Sequence, residues 1–432
     1  MIKKICLPVI AFLICSNTYA QNANLSNTID SYVRQLMDSI NLVPSISIGV
    51  LYEGEVVLEK AYGFANVEDK IAAETSTEYY IASNTKAFTA LSASILHQKG
   101  KLSFTKSLQE FFPEIEFSDS IHADRITIPM LLSHTSGLDN GDITFLKSQT
   151  GDYTDKQLFD LLKKSWNRTE MGEFRYTNLG YNIINLIYLK EFGKSWKEIV
   201  QEEVLNPMGM DNTFSSYVEL LESKKPMALA YNSLGDGSNF FEEHKELKRD
   251  ETMQAAGGLY SNISDLLKFL QFQVNEGSYD NTNINKAAIE DTWATRTSGD
   301  ESNFGLMKYA TGYSLGWNIS EYSNFKIFHH GGAFGGFRSY ISFIPENKSG
   351  VVVMVNDAFT GNIVNTQLTM FVLDAISHAD DLTGDWMKGH LGFLSMMKKE
   401  VEMNAIPMKI VHHLIIIHLD FYFPSILDLS SQ

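Results

Sequence analysis

Cysteine is nearly absent from this 432-residue chain. Its only two cysteines, Cys6 and Cys15, lie close to the N-terminus. The rest of the chain therefore has no cysteine nucleophile, no disulfide framework and no thiolate metal site. Basic charge is scarce as well, with 35 lysines and arginines against 52 acidic residues, for a formal net charge of −17. That balance argues against nucleic acid or an anionic membrane surface as a partner. The eleven histidines include no His-x-x-x-His or His-Glu-x-x-His spacing, so no zinc-hydrolase helix is expected. Internal repeats and low-complexity segments are also missing. At 44% hydrophobic and 20% charged, the composition suits one or two globular domains with a real core.

The N-terminus reads as a processing signal spanning 1–20. Lys3 and Lys4 are followed by the apolar run Ile5 to Cys15 and the small-residue site Thr18-Tyr19-Ala20. The run is too short for a bilayer span of about 20 residues. A periplasmic or secreted protein is expected, with no membrane insertion once the signal is removed.

Residues 25–41 carry Ile29, Val33, Met37 and Ile40 on one helical stripe. Two strand-like runs follow, Ile46 to Tyr52 and Val56 to Tyr62, joined by a Glu53-Gly54-Glu55 turn. Further strands are read at 325–329, 337–344 and 351–355, then a helix at 363–378. The middle, about 84 to 275, is mostly helical. The chain is therefore read as α/β (α+β): a sheet built from both termini, a helical subdomain inserted between them and a cleft where they meet, a favoured place for ligands. The main domain is expected over 21–390. Residues 391–432 form a tail mixing an apolar run with His412, His413, His418, Asp420 and Pro424. It reads either as a docked terminal segment or as a stretch foreign to the fold.

The chemistry-bearing motif is Ser83-Asn84-Thr85-Lys86, at the junction of an extended run (79–82) and an amphipathic one (87–99). A serine hydroxyl needs a neighbouring base to act as a nucleophile. Residues three apart share a helix face, so Lys86 would stand beside Ser83, near the positive end of the helix. Ser-x-x-Lys recurs at Ser103, Ser323 and Ser395, so context must choose. Two downstream motifs supply it: Tyr176-Thr177-Asn178, opening an apolar helical stretch, and His330-Gly331-Gly332 at a strand end.

In this order the three motifs resemble those of the serine β-lactamase and penicillin-binding protein superfamily, nearest to the class C β-lactamase-like branch with its esterases and D-amino-acid peptidases. Residues 126–138 (ITIPMLLSHTSGL), 256–261 (AGGLYS), 313–317 (YSLGW) and 330–336 (HGGAFGG) strengthen the likeness, which covers about 25 to 380. The resemblance implies a β-lactamase/transpeptidase-like fold and an acyl-enzyme mechanism without a cofactor. It makes Ser83 the nucleophile, Lys86 the base and Tyr176 a proton shuttle whose phenolate Lys86 would favour. Asn178 would hold the substrate's acyl-side amide. Gly332 lets the strand approach the substrate, and the backbone N–H groups of Ser83 and Ala333 would form the oxyanion hole.

His330 stands where penicillin-binding proteins usually carry lysine. A histidine is only partly charged near pH 7 and would grip a substrate carboxylate less firmly. Esterase or D-amino-acid peptidase activity is therefore expected ahead of efficient β-lactam hydrolysis. Arg338 is read as a carboxylate clamp or a structural ion pair, and His134 as structural. The substrate would be a small molecule or a peptidoglycan-derived peptide. The alternative is a catalytically silent protein binding cell-wall peptides or β-lactams. Pocket shape is assigned to the loops at 139–155 and 280–305.

Overall fold

The computed structural model describes residues 6–118, 120–139, 157–158, 160, 163, 166–167, 169–233, 241–243, 250, 254–280, 282–298 and 310–402. Much of the two loops assigned to pocket shape, and the C-terminal stretch from 403, lie outside these.

Alternating apolar residues near both ends of the chain make one nine-stranded sheet. Its strands are β1 (Ser45–Tyr52), β2 (Glu55–Asn66), β3 (Ile71–Ala72), β4 (Thr297–Ser298), β5 (Ala310–Tyr313), β6 (Asn318–Tyr322), β7 (Phe325–Phe334), β8 (Phe337–Ile344) and β9 (Ser349–Val355). They lie in the order β4-β5-β6-β7-β8-β9-β1-β2-β3, and each neighbouring pair is antiparallel. The two halves of the chain join where β1 meets β9, with Ile46 opposite Val355 and Val50 opposite Val351.

The central strands are buried on both faces. Val351, Val353 and Val355 of β9 point into one core, while Val352 and Met354 point into the other. This explains why 351–355 reads as an unbroken apolar run rather than an alternating one. The first core is capped by the terminal helices α1 (Cys6–Ser39), α5 (Thr360–Ser377) and α6 (Asp385–Glu402). Tyr32 of α1 stacks on Phe371 of α5 at 3.7 Å. The other face carries the helical subdomain, with α2 (Thr85–Gln98), α3 (Leu179–Phe192) and α4 (Ile263–Val274). Gly49 of β1 lets Leu267 of α4 sit directly on the sheet: an added Cβ would lie 2.7 Å from Leu267 Cγ.

The sheet from both termini and the inserted helices match the sequence reading, but several boundaries move. Strand β7 runs on to Phe334, through all of His330-Gly331-Gly332. Strands β5 and β6 were not foreseen. Helix α1 covers Cys6–Ser39, so the described part of the apolar leader and the helix expected from 25 form one continuous helix. Helix α6 crosses the boundary drawn at 390/391 and buries Phe393, Leu394 and Met397. It is tied down by His390, whose Nε2 lies 2.7 Å from Asp374 of α5. Among the described residues no helix is long and apolar enough to cross a membrane.

Candidate active site

Residues 77–96 are buried with one exception, Ser83. It lies in a single 3-10 turn, Ala82–Asn84, that runs directly into α2. Ala82 before it is held in the left-handed region, at φ +47°, at a cost of about 1–2 kcal/mol for an alanine. The surroundings impose this conformation from three sides. The Ser339 hydroxyl of β8 donates to the Ile81 carbonyl at 2.9 Å. Asn84 Nδ2 donates to Ser339 Oγ at 2.7 Å. Gly332 of β7 lies so close that a Cβ there would sit 2.1 Å from the Ile81 oxygen. The exposed Ala333 follows it at the rim of the site.

One helical turn on, Lys86 is fully buried. Its Nζ lies 3.1 Å from Ser83 Oγ and donates to Asn178 Oδ1 (2.8 Å) and to the Ala256 carbonyl (2.7 Å). None of the ion pairs among the described residues includes it. Burial without a counter-charge holds the amine well below its ordinary pKa of 10.5. The amine thus stands between the Ser83 hydroxyl and two fixed acceptors, the Asn178 side chain and the Ala256 carbonyl.

Asn178 is not the helix cap that its position at the start of α3 suggests. Its backbone is helical and its side chain makes no cap bond; Oδ1 goes to Lys86 instead. Tyr176 is partly exposed, 41% of its surface open to solvent. Its ring lies 4.8 Å from Lys86 Nζ. Burial of the hydroxyl pushes its pKa above the ordinary phenol value. Burial thus works against the expected phenolate favoured by Lys86.

His330 is also corrected. Its Nδ1–H donates to the Gly331 carbonyl at 2.8 Å, which leaves Nε2 with a lone pair and no partner. Burial, then the nearby Lys86, depress its pKa to about 3. The imidazole is uncharged near pH 7 and offers an acceptor, not a cation.

Arg338 is placed away from the others. Ser339 faces Ile81, so its neighbour Arg338 faces the opposite side of β8. There it packs beside Gly361 of α5 and donates from Nη1 to the carbonyls of Phe337 (2.7 Å) and Gly335 (3.3 Å). Its hydrogen-bond partners there are these carbonyls of the β7–β8 hairpin, not groups beside Ser83.

Sequence reasoning set His134 aside and did not single out Ala256 or Ser339. His134 lies against the Tyr176 ring, centroids 4.4 Å apart. The motifs 126–138 and 256–261 contain two of these residues, but nothing in the sequence says which atoms they offer. Among the described residues no cluster of three or more His, Cys, Asp or Glu could hold a metal.

The Beta-lactamase family model matches residues 29–369. Protein flp of Staphylococcus aureus is 28% identical over 322 residues, 73% of this chain and 60% of that protein. The chain thus spans about 60% of the length of that relative. The unguisins hydrolase ungD' of Aspergillus campestris is 25% identical over 391 residues, 86% of this chain and 69% of the relative. The octameric penicillin-binding protein homologue from Pyrococcus abyssi superposes with a TM-score of 0.67 at 26% identity, covering 81% of this chain and 77% of that one. The D-amino acid amidase from Ochrobactrum anthropi SV3 gives 0.68 at 20% identity, covering 83% and 100%, a likeness of fold. With the family model matched from residue 29 to 369 on a fold that these structures share, the chain belongs to the Beta-lactamase family.

Proposed function

We propose that this protein is an exported serine hydrolase that forms an acyl-enzyme on Ser83 and acts on esters or D-amino-acid amides lacking a carboxylate beside the scissile bond. The observation that carries the reading is the 3.1 Å contact between Ser83 Oγ and the buried Lys86 amine, whose pKa burial holds well below its ordinary value. Ser83 Oγ attacks the carbonyl carbon and its proton passes to the Lys86 lone pair. The oxyanion is taken by the N–H groups of Ser83 and Ala333; one such donor contributes about 3–4 kcal/mol in comparable sites. Tyr176, a phenol in the resting site, gives its proton to the departing group as the tetrahedral intermediate collapses, and Lys86 restores it. Water then releases the acyl group by the same steps in reverse.

The carboxylate preference follows from His330. An unpartnered lone pair repels a carboxylate and receives a donor, so carboxylate-bearing β-lactams and D-Ala-D-Ala peptides rank below neutral esters and amides. The names of a hydrolase and of a D-amino acid amidase among the relatives support the class. The predicted leader supports export. The test is a panel of p-nitrophenyl esters, D-amino-acid amides and a chromogenic cephalosporin, with Ser83→Ala as control. Turnover of the neutral substrates, lost in S83A, is expected. Binding without turnover of any of them would instead favour a silent receptor.

A further inference from the structure

We propose that His134 is the positioning residue for Tyr176, holding the backbone on both sides of the tyrosine and seating its ring so that the phenol proton reaches the leaving group. This rests on the role given to Tyr176 above.

Residues 172–177 have no helix or strand to fix them. Their geometry comes from the turn at 133–135. The Gly172 N–H donates to the Thr135 carbonyl at 2.9 Å, and the Arg175 N–H to the His134 carbonyl at 2.8 Å. The Thr177 N–H donates to His134 Nδ1 at 3.3 Å. His134 therefore takes the residue before Tyr176 on its backbone oxygen and the residue after it on its ring. Between those two bonds the imidazole packs on the tyrosine ring at 4.4 Å.

The arrangement fixes the tautomer. A backbone N–H can only donate, so Nδ1 accepts and Nε2 carries the proton. Nε2 then donates to the Tyr313 hydroxyl at 3.3 Å. The imidazole also packs against the Tyr181 ring at 5.4 Å between centroids, and the Tyr181 hydroxyl donates to the Leu132 carbonyl at 2.7 Å. The hydrogen bond to Tyr313 and the ring contact with Tyr181 tie the imidazole to β5 and α3 at once. His134 also holds a left-handed backbone, φ +61°, a conformation kept where the surroundings over-determine it. A histidine that only filled core would not need both hydrogen bonds to straddle one tyrosine about forty positions later in the chain.

General acid assistance is worth about 100- to 10,000-fold, and most where the leaving group is poor. The test is kcat/KM for esters of one acyl group with leaving groups from p-nitrophenol to an alkyl alcohol, with melting temperature measured alongside. Wild type is expected to show a shallow dependence on leaving group and Tyr176→Phe a steep one. His134→Phe keeps a ring but loses both side-chain bonds. It is expected to lose about 10- to 100-fold on alkyl esters and no more than about threefold on the nitrophenyl ester. The H134F/Y176F double variant should be no worse than Y176F. His134→Asn keeps an acceptor near the place of Nδ1 and suits left-handed backbone, and should stay shallow. If H134F does not fold, Tyr313→Phe carries the test, since it deletes the hydroxyl that accepts the Nε2 proton and keeps the ring; a steeper dependence supports the proposal and a wild-type one overturns it. Equal losses across the series in H134F also overturn it and leave His134 a packing residue. If wild type shows no Ser83-dependent turnover, the functional reading fails instead, whatever the His134 variants do.

Discussion

Gly332→Ala tests whether the nucleophile is held by the strand that crosses behind it. The added Cβ would lie 2.1 Å from the Ile81 oxygen, 2.4 Å from Ser339 Oγ and 3.0 Å from the Ile81 carbonyl carbon. Comfortable heavy-atom contacts begin near 3.5 Å, so strand and turn must part by about 1 Å. Ile81 cannot yield alone. Its oxygen also receives the Asn84 N–H and the Ser339 hydroxyl, and Ser83 is two residues on. A 1 Å misplacement of a reacting group costs on the order of 100-fold, or about 2.7 kcal/mol. Overpacking itself costs about 1–3 kcal/mol of stability. The assay is kcat on a p-nitrophenyl ester together with the melting temperature. G332A is expected to remain folded at lowered Tm and to lose about 100-fold in kcat. Gly392→Ala is the control, because nothing lies within 4 Å of a Cβ there; in helix α6 it should gain up to about 1 kcal/mol. G332A with kcat within about threefold of wild type would refute the reasoning, since no shift of about 1 Å could then have reached Ser83.

Other perturbations separate the remaining parts of the account. His330→Lys puts a cation where an unpartnered acceptor stands, and should raise reactivity toward a carboxylate-bearing cephalosporin relative to a neutral ester by about 10- to 100-fold, the worth of a charged hydrogen bond; an unchanged ratio of kcat/KM values counts against the carboxylate argument. Glu78 is buried, with Asn262 Nδ2 on one oxygen at 2.8 Å and no partner on the other, and burial lifts its pKa to about 9. The folded state therefore holds a proton that the unfolded state releases above 4.5, so the stabilisation is complete below pH 4.5 and lost as pH rises toward 9. Glu78→Gln should gain up to about 3 kcal/mol over wild type at pH 7, at 1.36 kcal/mol per pH unit, and nothing at pH 4; chemical denaturation at the two pH values checks this, and a pH-independent difference contradicts it. Ser339→Ala strips the Ile81 carbonyl and the Asn84 amide of a shared partner and should cost about 1–3 kcal/mol of stability, measured by the same method.

What the sequence made legible and what it hid divide along physical lines. Ser83 and Lys86 are three residues apart on one turn, so local geometry alone brings them together. The sheet from both termini shows in the alternation of 46–52 and 337–344. Strands β5 and β6 are short and end in the Gly316 turn, so their alternation is too brief to see. The face of Arg338 depends on a register of one residue, fixed only when Gly332 is seen opposite Ser339. The pKa shifts of Lys86, Tyr176 and His330 were misread or left open because burial drives them, and a motif carries no burial. His134 was visible as part of a motif, yet its partners are backbone N–H groups, which look the same at every residue.

The claim on which everything else rests is that Lys86 is uncharged and takes the Ser83 proton at neutral pH. Labelling with a fluorophosphonate probe, followed by intact mass as a function of pH, tests it directly. The account predicts a single adduct, absent in S83A, whose rate levels off well below the ordinary lysine pKa of 10.5. No adduct on folded protein, or a rate still climbing through pH 10.5 as for an ordinary exposed lysine, would contradict it.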